Sequence, residues 1–216
     1  MKGILMSIKP KWVEKIASGK KTIEVRKTVP KCGTPFKCYI YCTKEGRGRD
    51  LRLHINDKKG REDVGITTLW RDGKDVLKVN NHLPAYRFNS YLAEGKVVGE
   101  FVCDDVFDFV QFGMGITACK IEKGRVLFSD THLFSKTCLT AKEIEDYLGH
   151  EKDGYGLHIS DLKIYDKPKA LSEFKKPCPA ESDFYCNKCI YGDSASETCL
   201  AELTRPPQSW QFVEEL

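Results

Sequence analysis

The chain of 216 residues lacks any long uninterrupted run of apolar side chains. No stretch approaches the ~20 apolar residues that a membrane-spanning helix requires. The apolar run at the start, residues 4–6, is too short for a secretory signal. We therefore expect a soluble cytoplasmic protein with no membrane partner.

The sequence also lacks a strong charge bias, an internal repeat and the composition of a disordered chain. Its 35 Lys and Arg residues face 31 Asp and Glu, and the net charge of +4 permits an anionic partner without requiring a polyanion. At 41% hydrophobic residues, a chain of this length can bury one good core. The histidines are scattered, so we expect them on the surface or in packing rather than in catalysis: His54, His82, His132, His150 and His158.

Ten cysteines stand out against these absences. Without an export signal, free thiols or a metal site are expected in preference to disulfides. Cys178, Cys186, Cys189 and Cys199 lie in a stretch of Pro, Asp, Ser, Asn and Gly that could not build its own core. Four thiolates with one C-x-x-C pair suit tetrahedral zinc, although an iron–sulfur cluster needs the same set. The alternative is a loop of reduced or crosslinked thiols.

Short strand-like segments dominate the rest of the chain. A helix is predicted from Pro10 to about Ser18 and a second from the capping box at Thr140. Single strands are predicted at 97–110 and at 157–165. Because helices do not alternate regularly with strands, we predict an α+β fold, a small mixed β-barrel whose first and last strands pair.

Four regions follow from this pattern. Residues 1–174 form the barrel, with a charged hairpin or insertion at 44–63. A Cys-rich appendage occupies 175–204, and residues 205–216 return to the barrel as a final strand.

The chemistry of the chain is expected in residues 19–26. After Gly19, Thr22, Glu24 and Arg26 share one face of a predicted strand, and Ile23 and Val25 share the other. An acid and a base two residues apart suit a polar ligand cleft, since both can hydrogen-bond a planar partner. The alternative is a solvated strand face with a surface ion pair of little energetic value.

Gly19, Lys21, Glu24 and Arg26 match the pattern G-x-K-x-x-E-x-R, which resembles the signature of ASCH domains in the PUA-like superfamily. Further segments resemble the family in the same order along the chain. They are Ser7-Ile8-Lys9-Pro10, Val98-Gly99-Glu100-Phe101, the stretch 154–164, and residues 205–210, which resemble endings of phage and bacterial members. The resemblance covers residues 1 to about 174 and the last dozen.

This resemblance implies a PUA-like barrel with short flanking helices and a cleft beside the first helix. Lys21, Glu24 and Arg26 would there bind RNA or a nucleotide-like ligand, with no cofactor needed. Strand parity would place Lys20 on that face instead, so Lys21 joins only if the strand begins after it or is bulged. The further ligand-binding candidates are Ser7, Lys9, Tyr41, Glu100 and Tyr155.

Enzymatic hypotheses follow from the same resemblance. Some small members hydrolyse an acylated cytidine such as N4-acetylcytidine, using a Lys and a Thr nucleophile. Here Glu24 stands where that Thr would be, so an amidohydrolase with Lys21 as base and Glu24 as proton relay would lack its nucleophile. A ribonuclease is a second enzymatic hypothesis, and a protein-interaction module with a vestigial cleft is a non-enzymatic one.

Overall fold

The structure is a computed structural model, which describes residues 2–44, 52–56, 70–71, 75–76, 88–113, 115–149, 151–177 and 203–215. Its helices and strands, in chain order, are β1 (Lys2–Ile8), α1 (Pro10–Ala17), β2 (Ile23–Arg26), β3 (Phe36–Cys42), β4 (Arg52–Asn56), β5 (Trp70–Arg71), β6 (Asp75–Val76), β7 (Phe88–Leu92), β8 (Lys96–Cys103), β9 (Val106–Phe112), β10 (Gly115–Glu122), β11 (Arg125–Ser129), α2 (His132–Thr137), α3 (Ala141–Leu148), β12 (Gly154–His158), β13 (Ser160–Lys169), β14 (Phe174–Lys175) and β15 (Trp210–Glu215). Two larger sheets account for most of these strands.

The six-stranded sheet, here sheet A, has the order β13-β8-β3-β1-β15-β14 and forms half of a barrel. Within it, β1 and β3 are parallel, whereas β15 returns antiparallel to β1, with Gly3 opposite Val213. The predicted pairing of the first and last strands is therefore confirmed. So is the fold class, α+β with a mixed sheet and short helices.

The five-stranded sheet, here sheet B, has the order β11-β10-β9-β12-β2. Each of the two long strands expected from the sequence is in fact a pair of strands, one in sheet A and one in sheet B. The first breaks at Asp104 and Asp105, between β8 and β9, and the second at Ile159, between β12 and β13. The His158 amide donates to the Asp105 carbonyl at 2.9 Å, which ties the two crossing points together.

Three clusters of buried hydrophobic residues form the core. The first lies between the sheets and joins Ile4, Met6 and Ile40 of sheet A to Leu157 of sheet B and to the buried face of α1. The second covers the other face of sheet A and contains Tyr39, Tyr41, Tyr165 and Phe174. The third joins sheet B to α2 and α3.

Helix α1 forms as its sequence predicts. Pro10 is its first residue, Val13 and Ile16 are buried, and Gly19 ends the segment with φ +70. The capping box at Thr140 is also present and opens α3. Strands β10 and β11 and helix α2 occupy residues that the sequence left unassigned.

The charged insertion expected at 44–63 lies mostly outside the described residues. Within it, β4 pairs antiparallel with β7. The expected Cys-rich appendage lies almost entirely outside them as well.

Candidate functional site

Strand β2 carries the motif, and all four of its residues are buried. Ile23 and Val25 pack into the cluster shared with α2 and α3. Glu24 and Arg26, each 5% exposed, alternate with them and therefore face sheet A. A solvated strand face with a surface ion pair is thus not what the structure shows.

Lys21, not Lys20, turns inward. The strand begins only at Ile23, so parity does not apply to the two lysines. The Lys21 amide donates to the Lys15 carbonyl at 2.9 Å, which wraps the segment around the end of α1. As a result Lys21 is 2% exposed, and Lys20 is exposed.

The three side chains form one charged cluster. Glu24 lies between two cations, with Oε2 at 3.3 Å from Lys21 Nζ and Oε1 at 3.1 Å from Arg26 Nη2. Lys21 Nζ also donates to the Thr137 carbonyl at the end of α2, at 2.8 Å. Two cations and one carboxylate leave the cluster with a formal charge of +1.

Arg26 connects this cluster to sheet A. Its Nη2 donates to the Ser7 carbonyl at 2.8 Å, and its Nη1 lies 3.4 Å from both the carbonyl and the hydroxyl oxygen of Ser209. The Ser7 hydroxyl in turn donates to the Pro207 carbonyl at 2.5 Å. Arg26 Nε is buried and has no hydrogen-bond partner among the described residues.

Aromatic residues lie near members of the cluster in the fold or next to them in the chain. Trp12, Tyr155 and Trp210 are half-buried and pack against the core between the sheets. The Trp12 ring centroid is 5.1 Å from Lys21 Nζ. On the other side, burial raises the pKa of Tyr147, with the nearby Arg26 and Glu24 charges acting in opposite directions.

The structure brings together some of the predicted site residues and separates others. Ser7, Lys21, Glu24 and Arg26 meet through the contacts above, and Tyr155 lies opposite Arg26 in the β12–β2 pair. Lys9 is exposed at the start of α1.

Tyr41 and Glu100 lie on the other face of sheet A, away from the cluster. Tyr41 packs with Tyr39 and Tyr165. The Glu100 carboxylate lies 2.8 Å from Lys37 Nζ and accepts from the Tyr165 hydroxyl at 2.5 Å. Although partial burial raises the pKa of Glu100, hydrogen bonds from Lys37 and Tyr165 outweigh it and hold that pKa below its usual value.

Several contributors were not identified from the sequence. The Thr137 carbonyl and Ser209 reach the cluster from distant parts of the chain, and a single sequence carries no signal for such contacts. Trp12 packs against the core between the sheets, and its place beside the cluster was not predicted either.

Lys21 and Glu24 are both held by other groups of the protein. Lys21 Nζ is engaged by Glu24 and a carbonyl, and Glu24 is engaged by two cations. Across the described ranges, no hydroxyl or thiol hydrogen-bonds to Lys21 or Glu24. The catalytic roles of these two residues stay predictions.

The cysteines predicted to hold a metal, Cys178, Cys186, Cys189 and Cys199, all lie outside the described residues. In the part of the chain that the structure describes, no group of three or more His, Cys, Asp or Glu side chains is placed to hold a metal ion.

Comparison with solved structures gives similar folds. The crystal structure of ASCH from Zymomonas mobilis is 14% identical, with 98% of this chain and 87% of that chain covered and a TM-score of 0.46. A Tyr-to-Phe variant of that protein is 14% identical, with 98% and 90% covered and a TM-score of 0.45. The fold resembles that of an ASCH protein. No family model and no curated protein matches the chain.

At this identity and TM-score, the function has to be argued from the chain's own residues. One further property follows from the helices: none of those described is long and apolar enough to span a membrane.

Proposed function

We propose that this chain binds RNA or a nucleotide-like ligand through the Lys21–Glu24–Arg26 cluster. The observation that supports the proposal is the buried Arg26 Nε, which has no acceptor within the described residues. A buried donor left without a partner is costly and rare in folded proteins. An oxygen of a bound ligand would supply the missing acceptor.

The chemistry of the cluster fits a nucleotide. The Arg26 guanidinium presents planar donors, and Glu24 presents carboxylate acceptors beside it, 3.1 Å away. A nucleobase edge carries donors and acceptors side by side, and a phosphate accepts from a guanidinium. The formal charge of +1 favours an anionic ligand, and the half-buried rings of Trp12, Tyr155 and Trp210 offer surfaces on which a base can stack.

A purely structural role is the competing explanation. The cluster joins β2 to β1 through Ser7, to α2 through Thr137 and to the chain before β15 through Ser209. If the cluster only holds these elements together, substitutions in it will change the stability of the protein and will not change its affinity for ligands.

A binding experiment with Arg26→Lys separates the two roles. This substitution keeps the charge but removes Nε, the donor without an acceptor, and a hydrogen bond that involves a charged group contributes about 1.5–3 kcal/mol. We expect the Kd for nucleoside monophosphates and labelled oligoribonucleotides to rise roughly tenfold or more. Calorimetry or fluorescence anisotropy measures the Kd, and a thermal melt verifies folding.

Lys20→Ala is the matched control. It removes a cation one residue from Lys21, but from an exposed side chain, so binding should change little. The proposal is wrong if folded Arg26→Lys binds every ligand as tightly as the unsubstituted protein, or if the unsubstituted protein binds none of them.

A further inference from the structure

We propose that Lys11, Trp12 and Lys15 of α1 form a second subsite, here the α1 subsite, which holds a neighbouring nucleotide of a single-stranded nucleic acid. The inference rests on the proposed function and deepens it. It identifies the ligand as an oligonucleotide strand that continues beyond the one nucleotide at Arg26.

The α1 subsite is built around one indole ring. Lys11 Nζ lies 4.2 Å and Lys15 Nζ 5.1 Å from the Trp12 ring centroid. Lys21 Nζ, at 5.1 Å, is the third ammonium group around the same ring. Trp12 is only half-buried and packs against the core between the sheets, so part of the residue remains open to solvent.

Lys21 connects the α1 subsite to the charged cluster. The same Nζ that lies 5.1 Å from the Trp12 centroid is 3.3 Å from Glu24 Oε2. The two sites therefore adjoin, and a ligand bound at Arg26 has the indole ring as its neighbour.

Three ammonium groups lie around the ring. Within the described ranges neither Lys11 nor Lys15 forms a salt bridge with an acidic side chain. The acidic groups nearby include Glu24, which is paired with Lys21, Glu14 on the same helix, and Glu143 at the start of α3. The Glu143 carboxylate is already engaged by Thr140 through its amide at 2.8 Å and its hydroxyl at 2.9 Å.

A single-stranded nucleic acid matches these features. Every base has a π-face that can stack on an aromatic ring, and the flanking phosphates attract ammonium groups. In a duplex the bases stack on one another, so no base face is available to stack on the indole ring of Trp12. If the lysines served only to pack their stems on the ring, they would have no influence on oligonucleotide binding.

Salt dependence of binding tests the proposal directly. The probes are fluorescein-labelled octauridylate and octadeoxyuridylate, which differ only in the 2′-hydroxyl and are followed by anisotropy at several salt concentrations, and UMP, followed by calorimetry. The double variant Lys11→Gln, Lys15→Gln should lower the slope of log K against log[salt] by about 1.4, because each phosphate contact in a single strand contributes roughly 0.7. UMP binding, which needs only the cluster at Arg26, should change less than about twofold.

Trp12→Leu keeps an apolar side chain in the packing and removes the π-face. It should raise the Kd for the octamers on the order of tenfold. Lys123→Gln, Lys167→Gln is the control, since it removes the same charge from two exposed lysines on other elements. A thermal melt accompanies each variant, and the lysine double variant carries the test if Trp12→Leu does not fold.

The outcomes are distinct. Weakening of both octamers supports a subsite that recognises base and phosphate, and weakening of one alone supports it and identifies the sugar of the natural strand. An unchanged salt slope in the lysine double variant, with UMP still bound, overturns the α1 subsite and leaves the proposed function intact. No binding of octamer or UMP to the unsubstituted protein overturns both.

Discussion

Glu24 and Arg26 form a salt bridge of 3.1 Å within a single four-residue strand, and both side chains are almost completely buried. Glu24 also binds Lys21, so one carboxylate contacts two buried cations. Buried charges are tolerated only when they are paired and hydrogen-bonded. The carboxylate therefore determines whether the two cations can remain buried.

Glu24→Gln should destabilise the protein by about 3 kcal/mol or more, because it leaves two buried cations without a counter-charge while the shape of the side chain is retained. Chemical denaturation measures the change in the free energy of unfolding. The control is Glu214→Gln, which breaks the 3.5 Å contact with partly exposed Lys175 and should cost less than about 1 kcal/mol. Equal effects of the two substitutions would contradict the assigned importance of the buried carboxylate.

Glu100 should make the stability of the protein depend on acidic pH. Its pKa in the folded protein lies below the ordinary value of 4.5, because hydrogen bonds from Lys37 and Tyr165 outweigh the effect of burial. A lowered pKa in the folded state contributes stability above the unfolded-state pKa, and this contribution is lost as pH falls through the folded-state value.

Glu100→Gln should therefore flatten part of the decline in stability below about pH 4.5. Denaturation at a series of pH values between neutral and acidic conditions measures this change. Asp166→Asn, which alters an exposed carboxylate on β13, is the comparison and should leave the decline in place. If stability falls with pH in parallel for Glu100→Gln and for the unsubstituted protein, Glu100 does not contribute to the acid dependence.

Local signals in the sequence predicted local structure well. The Pro10 start and Gly19 end of α1 depend on backbone preferences that these residues express in almost any surroundings. The capping box at Thr140 closes within four residues. In β3, Tyr39 and Tyr41 lie on one face and Ile40 on the other, as strand geometry alone requires.

Long-range placement could not be predicted in the same way. Residues 97–110 are rich in apolar and aromatic side chains on both sides of Asp104 and Asp105, which favoured one long strand. The two aspartates mark the break, but the sequence does not show that β8 and β9 belong to different sheets. For the same reason the sequence placed Glu100 in the cleft, whereas strand order puts it on the other face of sheet A. The partners of Lys21 and Arg26, Thr137 and Ser209, come from 116 and 183 residues away in the chain.

Gly99→Ala should destabilise the barrel by about 1–3 kcal/mol, as overpacking does in well-packed cores. A Cβ at this position would lie 2.5 Å from the Lys163 carbonyl oxygen on the neighbouring strand β13, and backbone atoms cannot move aside cheaply. Gly115→Ala is the matched control on β10, where the nearest atom is 3.8 Å away. Its effect should be within about 1 kcal/mol of zero and is measured in the same denaturation series. Comparable losses for both would refute close packing at Gly99 as the cause.

The four cysteines at 178, 186, 189 and 199 are predicted to hold one zinc ion per chain. Elemental analysis of protein purified under reducing conditions, in air and anaerobically, should give near-stoichiometric zinc. Cys186→Ser, Cys189→Ser should abolish it, because the C-x-x-C pair supplies half of the ligands. Cys32→Ser, Cys138→Ser is the control and should retain the metal, since these two thiols lie elsewhere, one exposed and one partly exposed. Iron with inorganic sulfide in place of zinc would identify a cluster instead, and the absence of metal from both preparations would leave only reduced or crosslinked thiols.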